Sequence, residues 1–196
     1  MFVTFEGLDG CGKTTQAELL AEYLRESAAD VVATREPGGT PLGERIRELL
    51  LEGDPISGWA EAALFAAARA ELVAHVIRPG LERGAHVICD RYLDSSLAYQ
   101  GIARGLGVDR VLDLNLPAIG GLLPDVTFLL LVDPDEAAAR SGSDRIEREG
   151  TIFRADVDRA YRELAGAFPR RIVQVDGGRP VEEIAMLIRG QLRALT

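Results

Sequence analysis

Gly7, Leu8, Asp9, Gly10, Cys11, Gly12, Lys13 and Thr14 read GLDGCGKT, a complete match to the spacing G-x-x-x-x-G-K-[ST]. Glycines at this spacing let backbone N–H groups turn inward around phosphate oxygens. The lysine then reaches the outer phosphates and the hydroxyl is placed to ligate magnesium. Here those parts fall to Lys13 and Thr14, with Thr15 next in line, and the chain's 22 basic residues include no other lysine. A second cluster, Val87-Ile88-Cys89-Asp90-Arg91-Tyr92, closes an apolar run with an acid and a base. An aspartate there is the usual partner of phosphate-bound magnesium, so Thr14 and Asp90 are the candidate metal positions. Taken alone, an Asp-Arg pair at a strand end reads more simply as a surface pair; the phosphate-loop motif reverses that preference.

These residues need elements to hold them. Five short apolar or β-branched runs, Phe2 to Phe5, Val31 to Thr34, His86 to Cys89, Val126 to Val132 and Ile172 to Val175, read as strands covered on both faces, and the helical stretches between them imply right-handed parallel crossovers. The class is α/β. Thr14 to Arg25 places Leu19, Leu20, Tyr23 and Leu24 at helical spacing, Thr40-Pro41 opens a helix over Leu42 to Leu51, and Asp133-Pro134-Asp135-Glu136 opens another with an acidic capping partner. Trp59 to Arg83 is apolar nearly all round, so it crosses the domain centre or lends one face to a second subunit, and Pro79 is expected to kink or end it. Ser141 to Gly150, SGSDRIEREG, is charged, glycine-flanked and holds one aliphatic residue, which predicts a mobile segment with little burial to restrain it.

Composition narrows the function. At 196 residues, 47% hydrophobic and 27% charged, the chain fits a single folded domain over 1–196. A net charge of −9 argues against a nucleic-acid polymer or an anionic membrane as partner, so bound phosphate must be held by local cations. The opening MFVTFEGLDG has no signal-peptide pattern and no run suits a membrane span, which gives a cytoplasmic expectation. Cys11 and Cys89 suit neither a disulfide framework nor a zinc site; Cys11 could be a thiolate favoured by the helix N-terminus or a small loop filler. The only asparagine, Asn115, precedes Leu-Pro, so a guanine-reading N-K-x-D is missing and a small kinase fits better than a GTPase.

FEGLDGCGKTTQ, TREPGGTPLGERIRELLL, LFAAAR, DRYLDSSLAYQG and DRIE follow one another as in bacterial thymidylate kinases, and the resemblance runs from Phe2 to about Asp176. It implies a phosphate-loop three-layer sandwich with parallel strand order 2-3-1-4-5, a homodimer, a mobile lid at about 140–150, and magnesium-dependent phosphate transfer from ATP to dTMP. It further implies that Phe65 stacks on the thymine ring and Arg69 reads a base carbonyl, though core packing would account for Phe65 equally well. Arg35 and Arg91 would grip the acceptor phosphate. Ser95, Ser96, Tyr99 and Gln100 would line base and sugar, with Tyr99 crowding C2′ and Asp9 reading the 3′-hydroxyl. Because the loop offers Asp9, Gly10 and Cys11 but no arginine, the chain resembles the lid-arginine subtype. Arg140 would then reach the transferred phosphoryl group, with Arg145 as a second lid cation on ATP. The catalytic set implied is Lys13, Arg140, Asp9 and Arg91. A kinase for another nucleoside monophosphate and a non-enzymatic nucleotide sensor are the alternatives.

Overall fold

Every apolar run forms a strand, and all but the fourth extend one residue beyond expectation onto a charged side chain, beginning with β1 Phe2–Glu6, β2 Val31–Arg35 and β3 His86–Asp90. With β4 Val126–Leu131 and β5 Ile172–Asp176 they make one parallel sheet of order β2-β3-β1-β4-β5. The computed structural model describes residues 1–142 and 144–194. In the sheet register Arg35 and Phe5 both pair with Asp90, so the charged strand ends share one rim. Ligands of open parallel sheets bind outside such carboxyl ends. Full two-faced cover holds for the central strands β1, β3 and β4, whereas the edge strand β2 is half-exposed.

The two-residue period of β1 divides the core. Val3 and Phe5 pack with Leu20, Phe128 and Ile188 beneath α1 Lys13–Glu26 and α9 Val181–Arg193. Phe2 faces the other layer with Val87, Leu129 and Tyr161, under α6 Val108–Ile119 and α8 Thr151–Ala167. A smaller cluster of Ile46, Leu50 and Ala68 joins α2 Pro41–Leu51 to α3 Gly58–Leu72.

The helix openings follow their caps. Thr40 accepts the Gly43 N–H at 3.0 Å with Pro41 in the first turn, and Asp133 accepts the Asp135 N–H at 2.9 Å to start α7 Pro134–Arg140. The carboxylate of Glu136 pairs forward with Arg140. Pro79, expected to kink or end the helix, stands just after a break in its regular α geometry. After α3 the chain takes a π-helical turn over Val73–Ile77, where the Arg78 N–H reaches the Val73 carbonyl, and continues as α4 Arg78–Glu82. Pro79 thus sits in a first turn, where its missing N–H has no partner to lose. On α3 and this turn Ala62, Ala66, Leu72 and Val73 are buried, while Ala60, Ala63, Ala67 and Ala74 are exposed along one side. α5 Leu93–Ser96 runs into a second π-helical stretch, Leu97–Ala103, which carries Tyr99 and Gln100.

Candidate active site

The loop from Gly7 to Gly12 joins β1 to α1, and its shape demands glycine. Gly10 has φ +82°, and a Cβ there would lie 2.1 Å from the carbonyl oxygen of Ala137 on α7. The cradle is therefore seated directly against the helix that ends in Arg140. Gly12 caps α1 in the left-handed region, which aims the first N–H groups of that helix into the loop. Lys13 is buried; its Nζ donates to the Leu8 carbonyl at 2.7 Å and stands 3.5 Å from Asp9.

Asp9 links the cradle to the end of β3, because its carboxylate also lies 2.5 Å from Arg91 Nη2. Burial alone would raise the Asp9 carboxyl, but Arg91 and Lys13 outweigh it and hold the group well below the usual carboxylate range. Thr14 Oγ1 donates to Asp90 Oδ2 at 2.5 Å, while Asp90 Oδ1 is buried and accepts nothing among the described residues. A hydroxyl and a carboxylate with an orphaned oxygen suit a hard cation that keeps part of its water shell, so the pair fits magnesium.

One cleft of about 590 Å³ spans the rim. Its walls include Asp9, Gly10, Gly12, Lys13, Thr14, Thr15 and Arg140 towards the cradle, and Arg35, Phe65, Asp90, Arg91, Ser95, Ser96, Tyr99 and Gln100 beyond it. Such a volume suits a ligand pocket, and the cleft brings the two groups of sequence-derived candidates together. Arg35 Nη2 pairs with Glu44 at 3.0 Å, both groups about half-exposed. The Arg91 guanidinium lies 5.4 Å from the centre of the Tyr99 ring. Burial pushes the Tyr99 hydroxyl far above its ordinary range, so it stays a neutral wall.

Some candidates are placed elsewhere. Gly7, Leu8 and Cys11 lie behind the wall. Cys11 is 2% exposed and burial pushes its thiol up, so of its two readings the small loop filler is the one that fits. Arg69 is 1% exposed; its Nε and Nη2 engage Glu36, Nη2 also donates to the Tyr92 carbonyl at 3.0 Å, and Nη1 donates to Ser96 Oγ and Asn115 Oδ1. Its guanidinium thus sits beneath the cleft, with Glu36 and Ser96 between it and the space. Arg145 is turned away as well: Nε donates to the Leu50 carbonyl and Nη2 to Glu61, both at 2.7 Å. With Ile146 also buried, the segment 141–150 is tied to α2 and α3, contrary to the expectation of little restraint; Ser143 within it lies outside the described residues.

A thymidylate kinase family model matches residues 5–188. The chain belongs to the thymidylate kinase family. A thymidylate kinase from Synechococcus sp. (strain JA-3-3Ab) is 51% identical over 95% of this chain and 93% of its own. One from Leifsonia xyli subsp. xyli is 54% identical over 98% and 94%. The crystal structure of thymidylate kinase from Ehrlichia chaffeensis superposes with a TM-score of 0.82 at 36% identity, covering 98% of each chain.

In this thymidylate kinase family chain the acids that organise the cleft are the residues sequence reasoning passed over. Glu36 neutralises Arg69, Glu61 gathers Gln100, Arg104 and Arg145, and Glu6 holds Ser95 and Tyr161. Arg47, which donates to the Pro37 carbonyl at 2.9 Å, also lines the cleft. An acid closing an apolar strand was a signal available for Glu6. Glu36 follows β2 in the loop before α2 and Glu61 lies in the first turn of α3, places where an exposed carboxylate is ordinary.

Proposed function

We propose that the protein transfers the γ-phosphate of ATP to dTMP, giving dTDP and ADP, as a step towards dTTP. The observation that carries this reading is the continuity of the cleft: one space is lined by the phosphate cradle and by Phe65, Ser96 and Gln100, together with Asp9, Arg35 and Arg91. Two nucleotides laid head to head in such a space bring their phosphates together, and positioning with charge neutralisation is most of what phosphoryl transfer requires.

In this reading Lys13 leaves its contact with the Leu8 carbonyl for the β- and γ-phosphates of ATP, and the N–H groups of the loop from Gly10 to Thr15 hold the rest. Arg91 and Arg35 present guanidinium forks to the acceptor phosphate, a planar geometry that suits its oxygens. Asp9, held ionised by its two cations, accepts a hydrogen bond from the sugar 3′-hydroxyl. Phe65 provides a stacking face, Ser96 and Gln100 reach the base edge, and Arg69 acts on the base through the layer formed with Glu36. Arg140 swings from Glu136 onto the transferring group, and Gly10 against Ala137 keeps its helix in register with the cradle. Arg145 anchors the lid instead of contacting ATP. Thr14 and Asp90 would hold magnesium, which when bound neutralises phosphate charge.

The same proposal takes 1–196 as one nucleoside monophosphate kinase domain with a lid at about 140–150, active in the cytoplasm. No helix of the described residues is long and apolar enough to cross a membrane. The exposed alanine side of α3 supports a homodimer, because small side chains let two helices approach closely. A coupled assay of ADP release over dTMP, dUMP, dCMP, dGMP and AMP tests the reading: dTMP is expected to be preferred, and preference for a purine overturns it. Release with none of them would favour the sensor alternative.

A further inference from the structure

Glu6 closes β1 in the centre of the sheet and is 1% exposed, yet no part of the mechanism above uses it. Its Oε1 accepts the backbone N–H groups of Tyr92 at 2.8 Å and Ser95 at 3.2 Å. Its Oε2 accepts the Ser95 hydroxyl at 2.6 Å and the Tyr161 hydroxyl at 2.9 Å. Those two hydroxyl oxygens each lie 3.1 Å from Arg91 Nη1 and 3.0 Å from one another.

Donor and acceptor chemistry settles the direction of these bonds. A guanidinium only donates, and each hydroxyl has one hydrogen to place. If both hydrogens point to Glu6, both oxygens turn lone pairs to Arg91, and only the 3.0 Å approach of the two oxygens to one another is left without a hydrogen. If Glu6 carries a proton, Oε2 donates to one hydroxyl and accepts from the other while the two hydroxyls share the remaining hydrogen, so in either state Oε2 is the partner that seats both hydroxyls beside Arg91. Arg91 itself has φ +68°, a conformation that side-chain-bearing residues seldom adopt, so its backbone depends on its surroundings to hold it.

We propose that Glu6 is the positioning residue for Arg91: its carboxylate takes the hydroxyl protons of Ser95 and Tyr161 and so fixes the arginine fork in the cleft for the acceptor phosphate. This rests on the reading that Arg91 binds that phosphate. Glu6 acts through the two hydroxyls and touches no substrate. The charged and titratable groups facing it are Arg91 and Asp94 from the stretch after β3, Tyr161 from α8, Cys89 from β3, Arg69 from α3 and Arg171 before β5. Burial and the Asp94 carboxylate push the Glu6 carboxyl up to about 7, against Arg91 and the hydrogen bonds from Ser95 and the Tyr92 N–H.

Glu6→Gln keeps the shape and spoils the polarity. Its amide NH2 must face either the two backbone N–H groups, which cannot accept, or the two hydroxyls, which must then turn their hydrogens away from it. The test is steady-state kinetics of the full chain at pH 8 with both substrates varied, for wild type, Glu6→Gln, Tyr161→Phe and Arg91→Ala. Glu6→Gln is expected to raise KM for dTMP about 10- to 100-fold while KM for ATP stays within about twofold, and Tyr161→Phe to raise KM for dTMP about 3- to 10-fold. Combined in one chain, the two substitutions should cost less than the product of their separate effects, since they disturb one network. An unchanged KM for dTMP in Glu6→Gln, beside a large rise in Arg91→Ala, overturns the proposal alone. An unchanged KM in Arg91→Ala overturns the phosphate-binding reading itself. Should Glu6→Gln fail to fold, Tyr161→Phe decides: its KM for dTMP rises as stated, or the proposal falls.

Discussion

Arg69 and Arg145 are 1% and 7% exposed, each bonded both to a buried acid and to backbone carbonyls, whereas Arg35 and Arg140 are 52% and 53% exposed and pair with surface glutamates. Arg35, Arg69 and Arg145 stand in stretches that resemble the family's and Arg140 lies just before the last of them, so as sequence they are alike. Their surroundings divide them. A guanidinium with several fixed acceptors belongs to the fold, because removing it strands a buried carboxylate at a cost of roughly 3–5 kcal/mol. One held by an exposed carboxylate loses only about 0–1 kcal/mol on letting go, so it can exchange that partner for a phosphate. The cleft thus combines cations that shape it with cations free to move within it.

The division is sharpest at Arg140. Arg140→Ala should lower kcat by about 10³- to 10⁵-fold, as loss of a phosphoryl-neutralising arginine does elsewhere, with KM for dTMP within a few-fold and the melting temperature unchanged. Full turnover in this variant would remove the lid arginine from the chemistry. Arg69→Ala should behave in the opposite way, losing about 3–5 kcal/mol in a urea melt because Glu36 is left buried without its partner. A loss below about 1 kcal/mol would place Arg69 with the exchangeable group.

Glu6 gives a prediction of a different sign. Folding raises its carboxyl from 4.5 to about 7, so the folded state favours the protonated form. Its contribution to stability is fully present below pH 4.5 and is lost as pH rises through 7, a change on the order of 3 kcal/mol. Relative to Glu6→Gln, wild type should therefore lose stability between pH 4.5 and 7.5 in paired urea melts. Parallel curves for the two proteins would mean that Glu6 titrates as an ordinary carboxyl.

Smaller effects should separate the remaining pair. Arg145→Ala leaves Glu61 with Arg104 and Gln100, so about 1–3 kcal/mol of stability should go, with faster amide exchange concentrated in 144–150. Arg35→Ala should change stability by less than about 1 kcal/mol and raise KM for dTMP about tenfold. A stability loss at Arg35 equal to that at Arg145 would erase the distinction between them.

The fold was legible where the signal was local. GLDGCGKT located the cradle, the five apolar runs located the strands, and Thr40-Pro41 and Asp133-Pro134 opened helices where side-chain caps form. Strands β1 and β3 ran one residue further than their apolar runs because the charged residue at the end, Glu6 or Asp90, still completes the sheet ladder. Pro79 marked the break in the helix but not its form, because a π-helical turn depends on packing that no local pattern reveals. The site was legible as a set of residues and not as a set of pairings. That Arg145 reaches Glu61, 84 positions earlier in the chain, or that Glu6 meets Tyr161, 155 positions later, is set by the tertiary fold. A mobile charged loop was the reasonable reading of SGSDRIEREG until its arginine had a buried acid to find.

The central claim is that one cleft seats both nucleotides with their phosphates in contact. Inhibition by an adenosine and a thymidine joined through a five-phosphate bridge tests it most directly. The claim predicts competition against ATP and against dTMP alike, with binding weakened by Arg91→Ala and by Lys13→Ala. Competition against ATP alone, with dTMP still bound beside the inhibitor, would contradict it.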